Sequence, residues 1–335
     1  MRYRPSGDMS ALSTPHRLRT MPPYWWCLTL PSLSLEASCS PMQNEGHEGG
    51  ERLQPIRQTT RVEAFTALLS IAKHELLISN FRYPLRIVSR FFGPLVWVAP
   101  FLIFGRALLG GADSQTLESL TGISHMPTFV IVGTIVTTIS FTMLWLMSFA
   151  IRLESYRGTF ESIYACPVSK FIFFMGKLMA SSIWASFYIV GLLLLGVLVL
   201  NIQFVWTRFP EMILVIIMLF FAMFGFGLIL AGMVLVYKES HTLLHFVDGL
   251  FSLIVPMAYP LAVLPEALQA VSRALPMTQA VIASRNLVIR GESLLVQSES
   301  IAILLAYIFI AIPLGYQFYM RMEGKAKKKG VLHKY

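Results

Sequence analysis

The sequence predicts an all-α membrane protein with six transmembrane helices and both the N and C termini in the cytoplasm, and three observations carry that expectation. Of 335 residues, 55% are hydrophobic and 13% charged, with a mean hydropathy of +0.63. That is too little polar surface to cover a soluble globule of this size. The apolar residues also fall in long charge-free runs, as a bilayer core requires at roughly 20 residues per helix. Finally, the 27 Lys and Arg against 18 acids, a net +9, collect in the gaps and tails. There they serve orientation and anionic lipid and do not form a nucleic-acid footprint. Cys27, Cys39 and Cys166 are too few and too scattered for a disulfide framework or a zinc site.

Residues 1–58 are rich in Pro, Ser, Gly and charge, with no sustained period. Arg2, Arg4, Arg17 and Arg19 precede an apolar patch as in a signal peptide, but Pro31 breaks the patch and Glu36 spoils a cleavage site before Cys39. A disordered extension, or a misassigned start with Met42 as the true one, suits the composition better. From Arg61 the character changes. The stretch RVEAFTALLSIAKHELLISNFRYPLRIVSR sets Phe65, Leu68, Leu69 and Ile71 beside Lys73, His74 and Glu75. This predicts an amphipathic helix over 61–85 that lies along the inner membrane surface; an ordinary cytosolic helix would share the pattern.

The six spans are expected at about 87–109, 126–151, 178–207, 212–237, 242–264 and 301–320. Arg90 and Arg106 can snorkel from the ends of the first, and Asp248 interrupts the fifth. Arg152, Arg157, Lys170 and Lys177 follow the second span, Lys238 follows the fourth, and Arg321, Lys325, Lys327, Lys328 and Lys329 follow the sixth. These segments, including a basic tail over 323–335, should face the cytoplasm. The gaps 109–127 and 203–211 hold only Arg208 against Asp113, Glu118 and Glu211, which suits the outside. The last outer loop, 265–300, fits less well, because Arg273, Arg285 and Arg290 balance Glu266, Glu292 and Glu299.

Between the second and third apolar runs stands the polar island ESYRGTFESIYACPVSK. At helical spacing Glu154, Arg157 and Glu161 share one face and can form an ion-pair ladder. Gly158 interrupts that helix, Thr159 can cap a new one, and Glu161 then lies in its first turn, where the dipole favours an acid. Pro167 ends it and Ser169 can cap the third span. The pattern predicts a short separate helix over 160–166, either a solvated loop with tidy caps or a docking element.

The island, extended as ESYRGTFESIYACPVSKFIFFMGK, resembles the loop between the second and third helices of ABC type-2 exporter permeases, where a Glu, then Arg-Gly-Thr, an apolar residue, Glu and a following Pro recur. Phe160 stands where Leu is commoner. A second stretch, LPEALQAVSRALPMTQAVIASRNLVIRG, is similar to the family's segment after the fifth helix, through Leu264-Pro265, Leu275-Pro276-Met277-Thr278 and Arg285; Leu275 replaces the usual Asn. The resemblance covers about 61–322, which would be the permease domain.

The resemblance implies a translocation path without its motor: two permease subunits, as a homo- or heterodimer in the inner or plasma membrane, with two copies of a separate ABC ATP-binding subunit. It also implies that the helix after the second span is the coupling helix, which assigns Glu154, Arg157, Gly158, Thr159, Glu161 and Pro167 to contact with that partner. Pro265, Pro276 and Arg285 would belong to short re-entrant helices over the outer mouth, where irregular backbone is buried in protein. ATP and Mg would be bound by the partner. In this chain the pair Gly176-Lys177 lacks the earlier Gly of a phosphate-binding loop, that position being Phe171.

Three further features are singled out. His245 and Asp248 are an ionisable pair within the fifth span, read as an inner-mouth polar contact in preference to a proton relay. Gly227 and Ala231 form a small-xxx-small step. The run MLFFAMFGFG could line a path for a greasy substrate, though such residues mostly face lipid or neighbouring helices. An ion-coupled secondary transporter is the alternative function, with Asp248 the one buried charge available and no repeated half. Within the expected spans, the fifth beginning at 242 and so leaving His241 outside, no paired acids or helically spaced His pair suggest catalysis or a metal site. The expectation is an exporter permease whose cargo is a drug-like amphiphile, a lipid, or a glycolipid or polysaccharide.

Overall fold

In hydrocarbon, a chain satisfies its backbone N–H and C=O groups by forming helices, and aliphatic runs of this length fold accordingly. The computed structural model describes residues 61–76, 84–109, 113–156, 169–200, 202, 204–237 and 240–328. Among them the α-helices run in the order α1 Arg61–Leu76, α2 Pro84–Leu109, α3 Gln115–Thr121, α4 Met126–Tyr156, α5 Lys170–Leu198, α6 Phe209–Tyr237, α7 Ser240–Ile254, α8 Glu266–Ala274, α9 Pro276–Val288 and α10 Ser298–Lys328. Single 3-10 turns lie at Trp206–Arg208, Leu261–Val263 and Leu294–Gln297. The described residues contain no strand, only an isolated bridge between Asp113 and His125.

Four helices among the described residues, α4, α5, α6 and α10, are long and apolar enough to cross a membrane. Helix α2, with 26 residues, occupies the place of the first expected span. Helix α6 is apolar on every side, with Met212, Val215, Leu219 and Met223 buried and Ile213, Leu214 and Ile217 exposed, and it packs against α4 and α10. Its crossing with α10 is set by small residues: a Cβ on Gly225 would run into the backbone of Ala311, and one on Gly315 into the carbonyl of Gly225. Such close approach increases dispersion contact where lipid supplies no hydrophobic drive. At Gly227, the neighbour is Met147 of α4, whose Cγ would lie 2.6 Å from an added Cβ. The Gly227 step thus accommodates a side chain, and the backbone crossing lies at Gly225. In the run from Met218 to Gly227, Phe220, Met223 and Phe224 are buried in the core, while Phe221 is partly exposed.

Several boundaries differ from expectation for physical reasons. The fifth expected span, 242–264, is helical only to Ile254, because Pro256 and Pro260 prevent continuation. The third begins at Lys170 and ends at Leu198, where 178–207 was expected. A scan for charge-free residues stops at Lys177, but that lysine is 2% exposed and lies inside the helix. Ser169 holds the N-cap position of α5 without a side-chain cap hydrogen bond. Helix α10 continues through Lys328 into the basic tail, where Glu323 and Lys327 form an i,i+4 pair at 2.7 Å. Helix α3 was not expected. Ser114 caps it by accepting from the Leu117 N–H, and Gly122 ends it at φ 67, a left-handed turn that favours glycine.

Candidate coupling and gating site

The expected functional residues distribute along α4, whose two ends and middle each hold a polar contact. At the first end, Glu154 lies in the last turn before α4 stops at Tyr156. Lys177 on α5 donates from Nζ to Glu154 Oε1 at 2.6 Å, and the two side chains are only 3% and 6% exposed. A buried pair of this kind is strongly destabilised if one partner alone is removed, by about 3–5 kcal/mol. Lys177 also stands over the Phe173 ring, 5.6 Å from its centre. One residue earlier, Gly176 admits α1: an added Cβ would meet Ile71 Cγ2 at 2.7 Å and the Leu68 carbonyl at 3.2 Å. The Gly-Lys pair that fails as a phosphate loop is therefore a packing and pairing element. On α1, Phe65 and Leu69 are exposed.

The connection between α4 and α5 carries Arg157, Gly158, Thr159, Glu161 and Pro167. These, with the expected helix over 160–166 and the ladder to Glu154, lie outside the described residues. What the structure gives is the contact between the last turn of α4 and the third turn of α5, through Glu154 and Lys177.

Midway along α4, Trp145 donates its indole N–H to Asp248 Oδ2 of α7 at 2.5 Å. Trp145 and Phe149, one turn apart, stack at 5.4 Å with a 12° interplanar angle. His245 meets the Trp145 ring edge-on at 5.1 Å, and His241 meets Phe149 likewise at 4.8 Å. The spacing of one turn on each helix makes this an antiparallel ladder. An intramembrane acid signals that a partner exists, but nothing in the sequence said that the partner would be Trp145.

At the other end of α4, Arg285 of α9 is buried without an ion pair among the described residues. Its Nε donates to the Phe129 carbonyl at 3.2 Å, its Nη2 to the Met257 carbonyl at 2.7 Å, and the guanidinium lies 3.4 Å from the Phe129 ring centre. Gly133 makes room, since a Cβ there would strike both the Met257 carbonyl and the guanidinium. Pro265 stands at the N-cap of α8 and Pro276 at the start of α9. Ser272 links the pair to α7 by donating to the Ile254 carbonyl at 2.8 Å. The other arginine contacts here are also local: Arg290 reaches the Thr121 carbonyl, and Arg208 bonds Glu211 at 2.6 Å, while Glu211 accepts from the Leu294 N–H. This accounts for bases in a loop where orientation rules disfavour them: Arg285 and Arg290 are consumed by the fold. Arg273 is exposed at the end of α8.

Four apolar helices of spanning length that pack closely on one another define a multi-helix membrane domain. The profile of the family described as ABC-2 type transporter matches residues 66–289, more than half of the chain, and the chain belongs to that family. No curated protein matches it. The chain is accordingly a multi-pass membrane protein and an ABC permease subunit, a transport component and not itself an ATPase. Permeases of this family normally work with an ATP-binding subunit.

Proposed function

We propose that the chain forms the translocation path of an ATP-driven exporter in the cell membrane, working as a permease dimer with two separate ATP-binding subunits docked on the segment 157–168. ATP and Mg belong to those partners. Both termini and the docking segment face the cytoplasm, six spans cross the bilayer, and the short helices α8 and α9 are re-entrant at the outer mouth. The cargo is a drug-like amphiphile, a lipid, or a glycolipid or polysaccharide.

The observation that supports this most is the Glu154–Lys177 pair. A push on the connection would otherwise be absorbed at the ends of α4 and α5. With those helices joined by a buried charge contact, both move together, and α4 carries the displacement past Trp145 to Phe129. Glu161 would supply the contact with a basic or amide-rich groove on the ATPase. Glu161→Lys is expected to leave membrane insertion and dimerisation intact, to weaken copurification of the ATPase, and to abolish most transport. Exposed pairs contribute about 0–1 kcal/mol and buried interfacial ones about 2–5 kcal/mol, so the size of the loss reports burial. Full ATPase binding and full export by this variant would overturn the docking assignment.

Orientation has its own test. Gln115, exposed beside the buried Ser114, and Ser169, exposed at the start of α5, are replaced singly by cysteine in a cysteine-free background. They are expected to react with an impermeant reagent from opposite sides of the membrane. Same-side labelling would exclude the proposed topology.

A further inference from the structure

We propose that Trp145, Phe149, His241, His245 and Asp248 form a capture site for a positively charged amphiphile, an organic cation with an apolar body. The inference deepens the exporter reading, and its transport consequence rests on that reading; the binding itself does not.

Asp248 carries the argument. Its Oδ2 accepts from Trp145, but its Oδ1 is buried and has no hydrogen-bond partner. A carboxylate normally uses both oxygens, and a buried charge without a counter-charge is costly. The titratable neighbours that face it are His245 and, a turn further, His241; neither donates a hydrogen bond to it, and no Lys or Arg pairs with it among the described residues. The site therefore lacks one positive group.

The surrounding rings suit such a group. Trp145 and Phe149 form one stacked wall, and His241 and His245, 6.4 Å apart with a 25° interplanar angle, form a second. The two stacks cross edge-on at 74° and 63°, which gathers four aromatic rings beside Asp248. Trp145 and Phe149 are half-buried against the core, while both imidazoles are exposed, so the cluster is open on the α7 side. Aromatic faces attract cations, Trp most strongly, and the attraction grows when water is excluded. A neutral headgroup would leave the carboxylate charge uncompensated, and an anionic one would be repelled. On α4 the cluster begins one and a half turns from Glu154, on the side of the helix end that flanks the docking segment. A site placed there would be felt by the element that moves.

The test uses the full-length permease in lipid nanodiscs, with tetraphenylphosphonium as the cation and triphenylphosphine oxide as its neutral aryl counterpart, each read by direct binding. The wild type is expected to prefer the cation. Asp248→Asn, which keeps an oxygen for Trp145, should weaken phosphonium binding about ten-fold or more and leave the oxide unchanged. Trp145→Leu should weaken it about five-fold, and Glu266→Gln, on exposed α8, should have no effect. Equal binding of the phosphonium to wild type and Asp248→Asn, or no preference for the cation in the wild type, would overturn the proposal. A second copy covering the cluster would do so too, seen as His245→Cys cross-linking between subunits together with absent phosphonium binding. Because binding is read without nucleotide, a failure of ATP-driven transport with intact cation binding would fault the exporter reading and leave the capture site standing.

Discussion

The two ends of α4 each hold a buried cation, and they hold it differently. Lys177 donates to a carboxylate, Glu154, on a neighbouring helix. Arg285 is held by two backbone carbonyls and a ring, at Phe129 and Met257. The first arrangement depends on two residues that must change together. The second depends on one residue and on backbone that no substitution removes. An ion pair transmits force between two side chains and can be switched; a guanidinium clamped on main chain fixes a position. The difference marks the Glu154 end as the part suited to coupling and the Phe129 end as the anchored part.

The largest effect should come from breaking the first arrangement halfway. Lys177→Met takes from the buried Glu154 the cation that donates to it, which is expected to cost about 3–5 kcal/mol, seen as loss of folded protein in a thermal or denaturant assay. The double variant Glu154→Leu/Lys177→Met removes both charges and should recover most of that stability, while transport stays impaired because the link between α4 and α5 is then apolar and slides. Full recovery of transport in the double variant would show that the pair serves stability alone.

The contrasting change, Arg285→Met, should cost less, about 1–3 kcal/mol. The Met257 carbonyl loses its donor, but the Phe129 carbonyl lies within α4 and can retain a helical partner, and the Met side chain refills part of the space. No second-site acid change should rescue it, since no acid holds it among the described residues. If removing an acid elsewhere restored the variant, the clamp would be an ion pair after all and the contrast between the ends would fail.

The sequence disclosed these two ends unequally. Charge-free runs gave the long helices because the bilayer demands them, and the turn chemistry of Pro256 and Pro260 was available to shorten the fifth but was outweighed by its hydropathy. Arg285 was reached through resemblance, with no indication that its partners would be carbonyls, since backbone acceptors carry no residue signature. Glu154 was grouped with Arg157 and Glu161 by helical spacing; Lys177, its buried partner, lies 23 residues away on another helix. Local periodicity finds neighbours on one helix and cannot find a partner across two. A lone lysine near the start of an apolar run was the signal available, and an apolar bilayer supplies the reason to look for its acid. The Ala311 and Gly315 step, four apart on α10, was likewise visible but was passed over for Gly227.

The smallest effect concerns the anchored end and the residue that departs from the family pattern. Leu275 precedes Pro276 at the N-cap of α9, with φ −77 and ψ 136, an extended conformation suited to capping, yet no side-chain cap forms there. Pro276 removes one N–H from the helix start, but those of Met277 and Thr278 still need acceptors. Leu275→Asn would supply one, for a gain of about 0.5–2 kcal/mol. Against that, Leu275 is half-buried against the core, and exchanging it gives up part of the roughly 1.5–3 kcal/mol of a fully buried leucine. The two terms are of similar size, so the variant is expected within about 1 kcal/mol of the wild type in a thermal assay, with ATPase copurification unchanged. Such near-neutrality would let an apolar residue stand at this cap. A loss of about 3 kcal/mol or more would mean that Leu275 packs as a full core residue, and that apolar packing, with Arg285 secondary, anchors this end of α4.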